Sequence, residues 1–148
     1  MADKVSIVNL TPWTQGFKRI NTVGHISIPA YGRLNIETEE VVSQCYAKNN
    51  QFTGEDGHGS HARIYVEDPA IRKEFEFDTE TTKQKVLTDD KLAKLFEYKR
   101  MGDFEKSMKD LVVIHAERFV LVEYIKKHKI NDYEKIKAVE RFTGVPMN

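Results

Sequence analysis

Thr79-Glu80-Thr81-Thr82-Lys83-Gln84-Lys85 divides this 148-residue chain into two unlike halves. The run contains no large apolar residue, so it has little to bury and reads as part of a linker over 79–87. Before it, short alternating apolar runs are broken by Gly and Pro. After it, apolar residues recur at helical spacing. The contrast predicts an α+β fold, with a small mixed sheet-and-helix unit over 1–78 and a three-helix unit over 88–148.

In the first half, Lys4 to Leu10 and Gly24 to Pro29 alternate like strands, the second stopped by its proline. Thr38, followed by Glu39 and Glu40, reads as the cap of a helix whose apolar stripe is Val41, Val42, Cys45 and Tyr46. Cys45 on that stripe reads as a buried structural thiol. Ala62 to Glu67 reads as a strand, Asp68-Pro69 as a helix start, and Phe75 to Asp78 as a last strand. Trp13, Phe17, Tyr31, Phe52, Phe75 and Phe77 are the aromatic candidates for this unit's core.

In the second half, Thr88 caps a helix to about Met101, which Gly102 ends. Asp103 then caps a long helix from Phe104 to about Lys129. Leu111-Val112-Val113-Ile114 is apolar all round, as a buried helix is, and His115 beside it reads as a core histidine. Asn131 with Glu134 forms a capping-box pattern for a last helix over Asp132–Phe142, closed by Gly144 and Pro146.

The 23 basic and 23 acidic side chains balance. The halves carry 10 basic and 12 acidic (1–87), then 13 and 11 (88–148). Such neutrality argues against a dedicated nucleic-acid coat or membrane-surface protein. A single cysteine excludes an internal disulfide and a CxxC knuckle. Leu111 to Ile125 is too short and too charged to span a bilayer. The N-terminus lacks the basic and apolar regions of a secretion signal, so a soluble intracellular protein is expected.

Chemistry concentrates at Thr53-Gly54-Glu55-Asp56-Gly57-His58-Gly59-Ser60-His61. Asp56, His58 and His61 suit a divalent metal by type, with Glu55 as a base in a metal-dependent hydrolase, although their spacing matches no defined zinc motif. The order helix, loop, strand is the reverse of a phosphate-cradling loop, and no GxxxxGK[ST] or GxGxxG occurs. A calcium loop starting at Asp56 places Glu67 twelfth but leaves His58, Ser60 and Ala62 at ligand positions. No GxSxG elbow exists, so no catalytic residue and no cofactor is assigned. The reading carried forward is a protein-contact loop through Asp56, His58 and His61. A basic cluster of Lys126, Lys127, Lys129, Lys135 and Arg141 is the candidate for nucleic-acid contact.

Asn49-Asn50-Gln51-Phe52, the glycine loop to Ala62 and the Lys/Glu-rich helical end together resemble small structural proteins of tailed-bacteriophage particles. That resemblance implies self-assembly or docking to other coat or connector subunits, and a place in a virion. The function expected is therefore a non-enzymatic structural or adaptor protein working through protein contacts.

Overall fold

Val5, Ile7 and Asn9 alternate inward along the first strand, and the sheet is built around them. The computed structural model describes residues 3–146. Strand β1 (Lys4–Asn9) is central, flanked antiparallel by β4 (Arg33–Glu37) and β5 (Ile64–Val66). Strands β2 (Gln15–Lys18) and β3 (His25–Ile28) form a separate antiparallel hairpin. Val5, Ile7, Ile26, Ile28, Ile36 and Ile64 gather on one core with Phe17 and Phe52, whose rings meet edge-on at 5.2 Å. Each fully buried side chain of this size contributes about 1.5–3 kcal/mol. Of the expected core aromatics, Trp13 (38%) and Tyr31 (49%) are exposed.

Polar side chains tie these pieces together. Asn9 is fully buried; its amide donates to the carbonyls of Trp13 (2.7 Å), Ile28 (3.0 Å) and Pro29 (3.1 Å). Its oxygen accepts from the Thr11 amide and hydroxyl. Helix α1 (Thr38–Tyr46) starts at Thr38 itself, with Glu37 at the cap position and no side-chain cap. Thr38 does not cap because its side chain is packed inward and its amide donates to Asp3 O, which continues the sheet. Glu40, 1% exposed, accepts the amides of Ile20 and Asn21 and so holds the end of the hairpin. Cys45 is buried on the α1 stripe as expected; burial, then the charge of Glu74, pushes its thiol up to about 12.

Helix α2 (Asn50–Thr53) is a single turn capped by Asn49. Helix α3 (Pro69–Glu74) is capped by Asp68, which accepts the Ile71 amide. The expected strand at Phe75–Asp78 is instead a turn, with Glu76 left-handed at φ 59° and Phe77 N bonded to Arg72 O. A further strand has no edge to join there, because Arg72 Nη1 already takes the outward carbonyl of Val66 on β5. The segment expected as a linker is packed as far as Val86. Gln84 and Val86 are each 7% exposed, and the Lys85 carbonyl accepts the His61 amide at 2.6 Å.

The chain divides into two compact units, one reaching Val86 and one beginning at Leu87. The second contains α4 (Asp89–Phe96), α5 (Met101–Leu111), α6 (His115–Lys127) and α7 (Tyr133–Thr143). The α+β class stands, but the single helix expected over Phe104–Lys129 is two. Val112 (φ −106°, ψ 102°) and Ile114 (φ −93°, ψ 160°) leave helical geometry. β-Branched residues lose side-chain freedom in a helix, and buried Glu117 stabilises the break by accepting the amides of Val113 (2.9 Å) and Ile114 (3.1 Å). Ile114 has no side-chain acceptor, so only the glutamate half of a capping box is present.

The break exposes Val113 (47%) and puts His115 on the surface at the start of α6, its ring against Phe119 rather than in the core. Helix α5 runs through Gly102 and Asp103 instead of starting after them. Thr88 caps α4 as read; Asp132, not Asn131, caps α7, and Gly144 (φ 74°) ends it. Leu92, Leu95, Phe104, Met108, Leu121, Val122, Ile125 and Val139 form this unit's core. Among the described residues no helix is long and apolar enough to cross a membrane.

Candidate functional site

The stretch from Gly54 to His61 leaves α2 and returns to β5 through four left-handed residues: Gly54 (φ 71°), Gly57 (82°), Gly59 (86°) and His61 (57°). Two of the glycines are also sterically required. A Cβ on Gly54 would run into the Ser60 carbonyl, and one on Gly59 would lie 2.8 Å from Gln84 Nε2. The loop closes on itself through Glu55 N to Ser60 O (2.8 Å) and Gly59 N to Thr53 O (2.7 Å).

Asp56 organises the interior of the turn. Its Oδ1 accepts the amides of His58 (2.8 Å) and Ser60 (3.2 Å), and its Oδ2 accepts the Ser60 hydroxyl (2.5 Å). Partial burial alone would raise the Asp56 carboxyl. The Ser60 hydroxyl and the two amides outweigh it and hold the group below the usual aspartate range. From outside, Gln84 pins the loop by donating Nε2 to Gly59 O at 2.9 Å. That bond fixes the amide's orientation and leaves Gln84 Oε1 buried without a partner among the described residues.

Glu55, Asp56, Gly57 and His58 are exposed at the tip, and His61 is half-buried. His58 Nδ1 lies 3.8 Å from Glu76 Oε2, with both side chains more than half exposed, so water screens the pair. A hollow of about 270 Å³ beside the tip is lined by Asp56, His58, Ser60, Glu76, Thr82 and Gln84. Among the described residues no three His, Cys, Asp or Glu side chains come together to hold a metal ion.

Four of the five basic candidates are exposed, and one turns inward. Lys126, Lys127 and Lys129 are exposed at and beyond the end of α6. Lys135 turns inward, 8% exposed, and its ammonium donates to Phe96 O at 2.8 Å. Arg141 pairs with Glu105 at 3.4 Å. Sequence reading counts all five as equivalent cations, whereas the fold uses Lys135 to satisfy a helix end.

A second polar centre gives little sign of itself in the sequence. The Arg72 guanidinium, 6% exposed, donates Nε and Nη2 to the Asp78 carboxylate at 2.8 Å each and lies 4.2 Å from the Tyr65 ring centroid. It stands in an open groove of about 810 Å³ with Tyr65, Glu67, Asp78 and Thr79. Only an Arg on a short helix before an acidic turn hints at this pairing. Compared with known protein families, curated proteins and solved structures, the chain has no match.

Proposed function

We propose that this chain is a non-enzymatic structural or adaptor protein that works through protein–protein contacts, in an assembly of the kind formed by tailed-phage particle subunits. The observation that carries the reading is the preformed tip at Glu55–His58. Asp56 spends its carboxylate on three donors within the loop, while neighbouring side chains stay exposed. A loop already fixed in shape loses little conformational entropy on docking, which suits contact rather than chemistry. The half-buried His61 anchors one side of the tip through its amide, so Glu55 and His58 are the outward contacts.

The test compares the intact chain with Asp56→Ala and with His58→Ala. Each is cross-linked to its assembly and the cross-linked sites are mapped by mass spectrometry. Cross-links at the neighbouring Lys83 and Lys85 are expected to be strong in the wild type and to fall at least tenfold in Asp56→Ala, with circular dichroism unchanged. A chain that stays monomeric and forms no cross-link to any other protein ends the reading.

A further inference from the structure

The two edges of the three-stranded sheet are finished differently. Hydrogen-bond parity sets which groups face outward. Asn9 N donates to Gly32 O and Thr38 N to Asp3 O, so in the β1–β4 ladder the amides and carbonyls of Leu34 and Ile36 face β1. Those of Arg33 and Asn35 face away from it. On the opposite edge, β5 turns Val66 O outward, and Arg72 Nη1 caps it. Among the described residues nothing covers β4 in this way, and Arg33, Asn35 and Glu37 are exposed along it. An open strand edge is a template for another strand.

The occupant follows from the sequence of that edge, Arg33-Leu34-Asn35-Ile36-Glu37. Antiparallel pairing of two copies about a two-fold axis at Asn35 places Arg33 of each opposite Glu37 of the other. Leu34 then falls opposite Ile36, and Asn35 opposite itself. The outward positions are the ones that such a register would hydrogen-bond. Each Asn35 amide meets the other Asn35 carbonyl, and each Glu37 amide meets an Arg33 carbonyl. Side chains of Arg33 and Glu37 share the face away from the core, where opposite charges across strands attract. Charges on an edge normally keep other strands off. Here their opposite signs cancel that protection for a second copy alone.

We infer that β4 is a self-association edge, at which two copies of this chain pair antiparallel about Asn35 with reciprocal Arg33–Glu37 ion pairs. The inference rests on the protein-contact reading above and gives it one partner. Arg33 now forks Glu67 through Nε (2.7 Å) and Nη2 (3.0 Å), leaving Nη1 for Glu37 of the second copy. Glu37 holds Arg19 at 3.0 Å, and α1 begins at the next residue, so the ladder stops there. Five paired residues a side are far fewer than the roughly 20–30 a side of a stable interface. The association is therefore weak and concentration-dependent.

Sedimentation equilibrium across low to high micromolar concentrations tests it on the full chain. The wild type is expected to pass from monomer to twice the monomer mass. Arg33→Glu puts like charges opposite each other and should weaken the dimer at least tenfold. Adding Glu37→Arg to it should restore the dimer, although the double variant also breaks both intramolecular pairs, Arg33–Glu67 and Arg19–Glu37. Asn35→Pro removes an outward amide that the monomer's ladder does not use and should abolish dimerisation; if it misfolds, the charge-swap pair decides. A wild type that stays monomeric throughout, or a dimer indifferent to Arg33→Glu, overturns the inference. A wild type that is monomeric yet still forms Asp56-dependent cross-links to another protein defeats the β4 edge alone and leaves the contact loop standing.

Discussion

In the first unit the buried polar side chains Asn9, Gln15, Glu40 and Gln44 join elements that are distant in sequence, and Thr11 holds the Asn9 amide in place. Asn9 reaches β3, Gln15 accepts from Gln51 of α2 at 2.7 Å, and Gln44 donates to Lys18 O at 2.8 Å. In the second unit, each buried polar side chain closes a helix end instead. Glu117 starts α6, Lys135 accepts the task of satisfying the last carbonyl of α4, and Thr143 bonds Val139 O at the end of α7. Strands separated by loops need specified cross-links to fix register, whereas helices satisfy their own interiors and leave only their ends open. The sheet unit should therefore be sensitive to the loss of a single polar group, and the helical unit far less so.

The sharpest test is Asn9→Ala. It strands the buried Ile28 carbonyl and the buried Thr11 amide, which together should cost about 3–4 kcal/mol. The chain has a single tryptophan, Trp13, so urea titration followed by its fluorescence reports the first unit. Next, Asp78→Ala leaves the buried Arg72 guanidinium unpaired. The expected loss is about 2–3 kcal/mol, below that of a fully buried pair because Asp78 is 37% exposed.

Acid should act on the same unit reversibly. The Ser6 hydroxyl holds Glu67 down and the Arg72 guanidinium holds Asp78 down, each against partial desolvation, and Asp56 is lowered as described. With folded values below unfolded ones, this stabilisation is complete above the ordinary carboxylate range and is lost as pH falls through the folded values. The Trp13 transition should move to lower urea between about pH 4 and pH 2. Asp78→Ala should show a smaller shift. The smallest effect belongs to the helical unit: Glu117→Ala should cost about 1–2 kcal/mol, as a lost helix cap does, read by far-UV circular dichroism. A cost there equal to that of Asn9→Ala would erase the contrast between the units.

Where local residue type decides the outcome, the sequence is readable. The alternation of Val5 and Ile7, the caps at Asp68 and Thr88, and Gly144 act within a few positions and stand in the structure. Strand β4 is obscure because an exposed edge needs only one inward residue, Ile36. The helix break at Val112–Ile114 has a local sign, a β-branched run with glutamate three residues after Ile114, but a run apolar on every side equally suits a buried helix. The glycine loop is legible as a place, while Asp56's commitment to its own turn depends on backbone geometry. The inward turn of Lys135 depends on Phe96, 39 residues earlier, and no spacing rule reaches that far.

The clasp from Gln84 and Lys85 onto Gly59 and His61 also fixes an order of events during synthesis. The glycine loop leaves the ribosome well before the residues that hold it. A nascent chain ending near Asp78 carries the loop's sequence but neither Gln84 nor Lys85, so its tip lacks both outer anchors. Those two outer anchors are in place only once the segment reaching Val86 has emerged and folded back, whereas the bonds within the loop need nothing beyond Ser60.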